Sequence, residues 1–236
     1  MGNQQSLSQT LDKEKIISYQ QKKHICKIYM YLGGQLNGLS NGFFCLIPYP
    51  DKDHLIHVLI TTYRTINENT IEDNKEIKLT LNNDADKRTI KIDNNRKIYI
   101  NKQLDITIIE IIQEKDKIRI EEFYWKYFLE LDNNIINENI DEINNQKDIY
   151  LICYGKNNKM DLYYGKIKEI EGNDIHHISE IESGSGGCPI LSLSSYKVIG
   201  LHLGRTPYEY KRGTLLNVPM KEFMKGDKFL KLWWIN

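Results

Sequence analysis

Cysteine is scarce and scattered in this sequence. The four cysteines, Cys26, Cys45, Cys153 and Cys188, stand far apart with no CxxC pair, which excludes a zinc ribbon and a dense disulfide framework and predicts reduced thiols. Net charge is lacking too: 32 basic side chains balance 32 acidic ones, so no long-range field draws the chain to nucleic acid or anionic lipid. No apolar run approaches the roughly 18 residues of a membrane span, and the polar start MGNQQSLSQT is no secretory signal. An intracellular, cytoplasmic protein is therefore expected. The histidines, including His54 with His57 and His176 with His177, lack a matching cysteine or carboxylate cluster, so neither a metal site nor a cofactor is predicted.

What is present begins at the N-terminus. Gly2, exposed by methionine removal, and Ser6 four residues later match the N-myristoylation pattern. One myristoyl chain gives only marginal membrane affinity. Lys13, Lys15, Lys22 and Lys23 add attraction that Asp12 and Glu14 dilute, so at most reversible membrane contact is expected. Leu7, Leu11, Ile16 and Ile17, set among polar residues, predict a short helix in an appended tail over residues 1–23.

The 236 residues are 40% hydrophobic and 27% charged, enough for one compact unit or two small barrels sharing a core. Beyond the tail, short runs rich in Ile, Val, Tyr and Phe alternate with Gly, Asn and Asp, the pattern of an all-β sandwich or barrel pair. Strands are predicted near 25–32, 42–48, 55–61, 76–81, 88–92, 97–100 and 104–112, then near 148–154, 161–170, 174–180, 189–193, 197–203 and 213–218. Gly33, Gly34, Asn37 and Gly38 and the NND at 82–84 read as turn formers. Between the two groups, EFYWKYF is an aromatic patch and DNNIINENIDEINNQ an asparagine-rich connection read as loop. A short helix from about Pro219 closes the chain, with Trp233 and Trp234 as packing anchors.

Four segments in order carry more than strand pattern: NGFFCLIPY, HVLITTYRTI, LDITIIEI and GSGGCPILSLSSYKVIGLHLG. Taken together they resemble the trypsin-like (chymotrypsin-fold) serine proteases, in particular small intracellular microbial relatives, over roughly residues 25 to 225. The resemblance implies two six-stranded antiparallel β-barrels, the first over about 24–115 and the second over about 146–218 of a body spanning 24–225, followed by a C-terminal tail over 226–236. It also implies a triad: a hydroxyl nucleophile, an imidazole to take its proton, a carboxylate to orient the imidazole, and backbone N–H groups for the oxyanion.

The triad positions are where this sequence departs. Laying the family's Leu-Ile-Thr-x-x-His on Leu59, Ile60, Thr61, Thr62, Tyr63 and Arg64 puts Arg64 in the histidine slot, and a guanidinium with a pKa above ~12 is no general base. Asp105 matches the family's aspartate, and an ion pair between it and Arg64 is expected across the former active site. Anchored on Pro189, the nucleophile slot falls on Gly186, with Gly184, Gly186 and Gly187 forming the oxyanion loop. A competing register makes Ser185 the nucleophile and Cys188 an insertion. Gly200, His202 and Gly204 resemble the specificity-pocket strand of relatives that favour acidic or amide side chains, whereas a strand histidine packed beside Tyr196 or Tyr210 is the plain alternative.

The expectation from these residues is a catalytically inactive homologue that binds a protein or peptide or serves as a structural component. The alternative is an active serine endopeptidase using Ser185. A purely architectural subunit with a self-filled cleft is a third reading.

Overall fold

The computed structural model describes residues 14–18, 20, 23–32, 34–93, 95–116, 128–145, 147–155, 157–205, 210–226 and 229. Gly2 and its acylation pattern, most of the EFYWKYF patch, and Trp233 and Trp234 lie outside them.

The first half of the chain forms β1 (Ile25–Leu32), β2 (Gln35–Pro48), β3 (Leu55–Thr61), β4 (Glu76–Leu81), β5 (Asp86–Lys91), β6 (Ile98–Asn101) and β7 (Ile106–Glu110). They join in the order β5-β4-β1-β2-β3-β7-β6, and β8 (Leu129–Glu130) pairs in parallel with β2. The second half supplies β9 (Asp148–Tyr154), β10 (Met160–Glu171), β11 (Asp174–Ser179), β12 (Pro189–Ser192), β13 (Val198–Arg205) and β14 (Lys211–Leu215). These close into a six-stranded antiparallel barrel, β10-β11-β14-β13-β12-β9.

The strands of the first sheet are apolar on both faces where it meets the barrel, and β2 shows why. Phe43, Cys45 and Ile47 point into a cluster shared with Ile149, Leu151, Cys188 and Leu201, while Phe44 points the other way, onto Ile28, Leu59 and Ile90. In the next strand Val58 and Ile60 join the shared cluster and Leu59 the other. A strand covered on both sides has no polar face to alternate with, so its sequence reads as a continuous apolar run.

Two turn readings change in the structure. Asn37 and Gly38 lie inside β2, which is longer than expected; Gly38 sits opposite Met30 at a register shift, and a Cβ there would stand 2.9 Å from the Met30 Cε. The glycine makes room for a side chain on the neighbouring strand rather than a turn. The asparagine-rich connection is not all loop either, since it holds two short helices, Asn133–Ile136 and Ile140–Asn145, pinned by buried Ile135 and Ile143. A seven-residue helix, Glu68–Asn74, follows β3, capped by the Asn67 side chain on the Thr70 N–H.

The chain ends tie into this body. Residues 14–18 are helical and Ile17 is buried in the shared cluster. Nearby, Gln20 Nε2 donates to the Tyr196 carbonyl at 2.9 Å and the Tyr150 hydroxyl donates to Gln20 Oε1 at 2.6 Å. This stretch is docked rather than appended. The closing helix, Asn217–Lys225, starts two residues before Pro219, which its first turn tolerates because that N–H has no helical partner. Among the described residues no helix is long and apolar enough to cross a membrane.

Candidate functional site

The site is assembled where the turn after β3 and the turn before β7 meet the loop between β11 and β12. After β3, Thr62 accepts from the Thr65 and Ile66 N–H groups, and Thr65 Oγ1 lies 2.7 Å from both Thr62 Oγ1 and Ser40 Oγ. This hydroxyl-pinned turn presents Arg64. Before β7, Asp105 takes a left-handed backbone conformation, φ 48°, at the end of a turn in which its N–H bonds the Lys102 carbonyl; aspartate is among the few non-glycine residues enriched there.

Arg64 and Asp105 meet as the sequence leads one to expect. Arg64 Nε donates to Asp105 Oδ2 at 2.7 Å and the Arg64 backbone N–H donates to Oδ1 at 3.1 Å, so one residue engages both carboxylate oxygens. A third bond, invisible to any reading of residue types, runs from Arg64 Nη2 to the Leu203 carbonyl at 2.6 Å. The guanidinium thus spans both sheets, with Asp105 on one side and β13 on the other. Its side chain is 65% exposed, against 16% for Asp105.

The glycine-rich loop distinguishes its three glycines. Gly187 has φ +93°, and a Cβ there would lie 2.1 Å from the Asn41 carbonyl oxygen, so no other residue fits. Gly184 has φ +94° with open space around it. Gly186 has no left-handed φ, but a Cβ there would stand 3.3 Å from the Leu203 carbonyl oxygen, a tight contact that a small shift must relieve. Left-handed backbone favours glycine at 184 and 187 but not at 186.

Ser185 is 1% exposed, and its hydroxyl donates to the Glu182 carbonyl within the same loop. It makes no hydrogen bond to an imidazole among the described residues. His54 lies away on an exposed turn with Asp51 at 2.7 Å, and His57 packs on Phe128 at 4.5 Å between ring centroids. Cys188 is buried, and desolvation followed by the neighbouring Cys153 thiol raises its pKa well above the ordinary thiol range.

A residue the sequence reading passed over, Asn41, fastens the loop to the first sheet. It is 1% exposed; its N–H donates to the Gly186 carbonyl at 3.3 Å, its Oδ1 accepts from the Tyr154 N–H at 2.7 Å, and its carbonyl accepts from Thr61 Oγ1 at 2.7 Å. An amide just ahead of the apolar run Phe43–Pro48 of β2 was the available signal, since a buried polar side chain has to find partners. From the other side, the Gly187 N–H donates to the His202 carbonyl and the His202 N–H to the Cys188 carbonyl, both at 2.9 Å.

His202 is 1% exposed and stacks neither on Tyr196 nor on Tyr210; its ring lies against His177, Nδ1 to Nε2 at 3.2 Å, with Ser179 Oγ 3.3 Å from His177 Nδ1. His176 is the histidine that packs on Tyr210, at 4.6 Å. Burial is the main cause that lowers both buried imidazoles. His177 falls to about 4, helped by Lys211 and His176, and His202 goes well below its usual value, helped by His177, Lys211 and Arg64. Gly200 is packed tightly, where a Cβ would meet Ile175 Cδ1 at 2.5 Å and the Thr214 carbonyl at 2.8 Å, while Gly204, φ +128°, is unobstructed. No group of three or more His, Cys, Asp or Glu residues suited to a metal occurs among the described residues.

A closed six-stranded antiparallel barrel packed on a second β-sheet matches the double-barrel fold of trypsin-like serine proteases. Among solved structures the chain is similar to the serine endoprotease from Yersinia pestis, with TM-score 0.57 and 12% identity over 89% of this chain. It covers 66% of that protein, spanning just under two thirds of its length. It is similar also to Deg5, with TM-score 0.58 and 13% identity over 93% of this chain and 98% of that one. No protein-family profile and no curated protein sequence matches it. At these identities the likeness establishes the fold, while activity has to be argued from the site.

Proposed function

We propose that this chain is a proteolytically inactive trypsin-like homologue whose cleft binds peptide or protein. One observation carries the proposal: the guanidinium of Arg64 stands bonded to Asp105 and to the Leu203 carbonyl, beside Gly186, a glycine that the backbone does not require. Acyl transfer needs a base that takes the nucleophile's proton and returns it. An arginine stays protonated, and a glycine has no proton to give. Ser185 supports the endopeptidase alternative less well, because its hydroxyl is buried and turned into its own loop. Acylation at Gly2, giving reversible membrane contact, is part of the proposal and is checked by the mass of the N-terminal peptide from cells.

The deciding experiment is labelling with a fluorophosphonate probe. The native protein is expected to stay unlabelled, and the Arg64→His, Gly186→Ser double variant to label, because Asp105 stands beside residue 64 and residue 186 needs no left-handed backbone, only a small shift at the Leu203 carbonyl. Labelling of the native protein that disappears in Ser185→Ala would overturn the reading in favour of an active endopeptidase.

A further inference from the structure

We infer that the cleft is a carboxylate receptor, in which the Arg64 guanidinium and the peptide N–H groups of Gly184, Ser185 and Gly186 together hold a carboxylate of a bound peptide. This rests on the proposed reading of the chain as an inactive, peptide-binding homologue and gives that reading a ligand chemistry.

The donor count comes first. A guanidinium has five N–H donors in a planar fork. Asp105 takes one through Nε and Leu203 takes one through Nη2, which leaves three unclaimed among the described residues on a side chain 65% exposed. A fork of this shape matches a carboxylate with two parallel bonds. Its Nε is fixed by Asp105 and its Nη2 by Leu203, so little side-chain freedom remains to be lost on binding.

The second set of donors is independent of the first. No hydrogen bond among the described residues uses the N–H groups of Gly184, Ser185 or Gly186. Consecutive unclaimed N–H groups around a left-handed glycine, here Gly184 at φ +94°, form a concave surface suited to an anion. The loop carrying them is held rigidly by Asn41 on one side and β13 on the other, through the bonds at the Gly186 carbonyl and the Gly187 N–H.

The two sets share a neighbour. The Leu203 carbonyl oxygen is 2.6 Å from Arg64 Nη2 and 3.3 Å from the place of a Gly186 Cβ, so the guanidinium and the loop flank the same point. That point is an acceptor already engaged by Arg64, so a ligand carboxylate would sit beside it, facing the remaining guanidinium donors and the loop N–H groups. Lys211, opposite His177 across the β11–β14 pairing, adds positive charge on the far side of the His177–His202 pair. The acidic neighbours are Asp105, already engaged by Arg64, and exposed Glu182, whose side chain makes no bond to Arg64. With Asp105 offsetting one charge, the site suits a monoanion better than a phosphate dianion.

The test uses the full chain and three pools of decapeptides: free C-terminal acids lacking Asp and Glu, C-terminal amides lacking Asp and Glu, and C-terminal amides containing them. Capture of the free-acid pool at least about tenfold above the neutral amide pool identifies a terminal carboxylate, and the same preference for the third pool identifies a side-chain one. Either preference should weaken as ionic strength rises, shrink about tenfold or more in Arg64→Gln, and partly return in Arg64→Lys. The native comparison stands even if Arg64→Gln, which leaves Asp105 without its partner, fails to fold. Equal capture of all pools by the native protein overturns the carboxylate inference and leaves peptide binding intact. Capture of none overturns both, and cleavage of any pool overturns the inactive reading together with the inference.

Discussion

His177 Nε2 lies 3.2 Å from His202 Nδ1, with one ring 0% and the other 1% exposed. One hydrogen serves the bond between them, so the pair is stable with both rings neutral. A histidine whose folded pKa is below its unfolded value stabilises the fold above about pH 6.5, and that stability is lost as pH falls toward the folded value, because the unfolded chain binds the proton first. For His177, held at about 4, the loss between pH 7 and pH 5 is roughly 2 kcal/mol. Urea unfolding at the two pH values should show at least this drop in the native protein and a smaller one in His177→Gln. An equal drop in both would mean that the pair is not what resists protonation.

The glycine loop predicts an ordered substitution series. Gly187→Ala combines a left-handed backbone with a Cβ 2.1 Å from the Asn41 carbonyl oxygen and should cost more than about 3 kcal/mol. Gly184→Ala meets nothing within 4 Å and bears the backbone strain alone, about 1–2 kcal/mol. Gly186→Ala should stay within about 1 kcal/mol. Chemical denaturation of the three variants checks the order, and a Gly186→Ala as damaging as Gly187→Ala would show that glycine at 186 is required by the fold.

All four cysteines are buried, and desolvation raises the Cys26, Cys45 and Cys188 thiols. Since the thiolate is the reactive form, iodoacetamide should label none of them in the native protein over minutes and all four in guanidinium chloride. The register of Ile190 with Leu151, carried two residues further, sets Cys188 opposite Cys153, a second reason for it to be inaccessible. One rapidly labelled thiol that is lost in Cys188→Ser would instead mark Cys188 as a nucleophile.

Strands with an apolar core were legible because burial on a pleated surface leaves a local pattern: Ile25–Leu32, Leu55–Thr61, Glu76–Leu81 and Asp148–Tyr154 lie where short apolar runs stand between turn residues. Helix Glu68–Asn74 was not legible, since it is polar apart from Ile71 and too short to show a helical period. Gly38 reads as a turn former because a glycine in a strand and a glycine in a turn look alike until the partner side chain, Met30, is known. At the site, Arg64 and Asp105 are 41 positions apart yet could be matched by their flanking strands. The Leu203 carbonyl could not be, because a backbone oxygen has no residue type to betray it.

The sequence by itself determined that this chain is a barrel-forming β protein and that Arg64, Asp105 and Gly186 stand at the ends of, or between, its predicted strands. Only the tertiary structure decided that Arg64 bridges Asp105 to β13, that Asn41 clamps the loop, and that Gly184 and Gly187 take left-handed backbone where Gly186 does not. The reason is range. Strand pattern follows from neighbouring residues, whereas a hydrogen bond to a carbonyl on the other barrel and the room left for a Cβ exist only once distant segments are packed together.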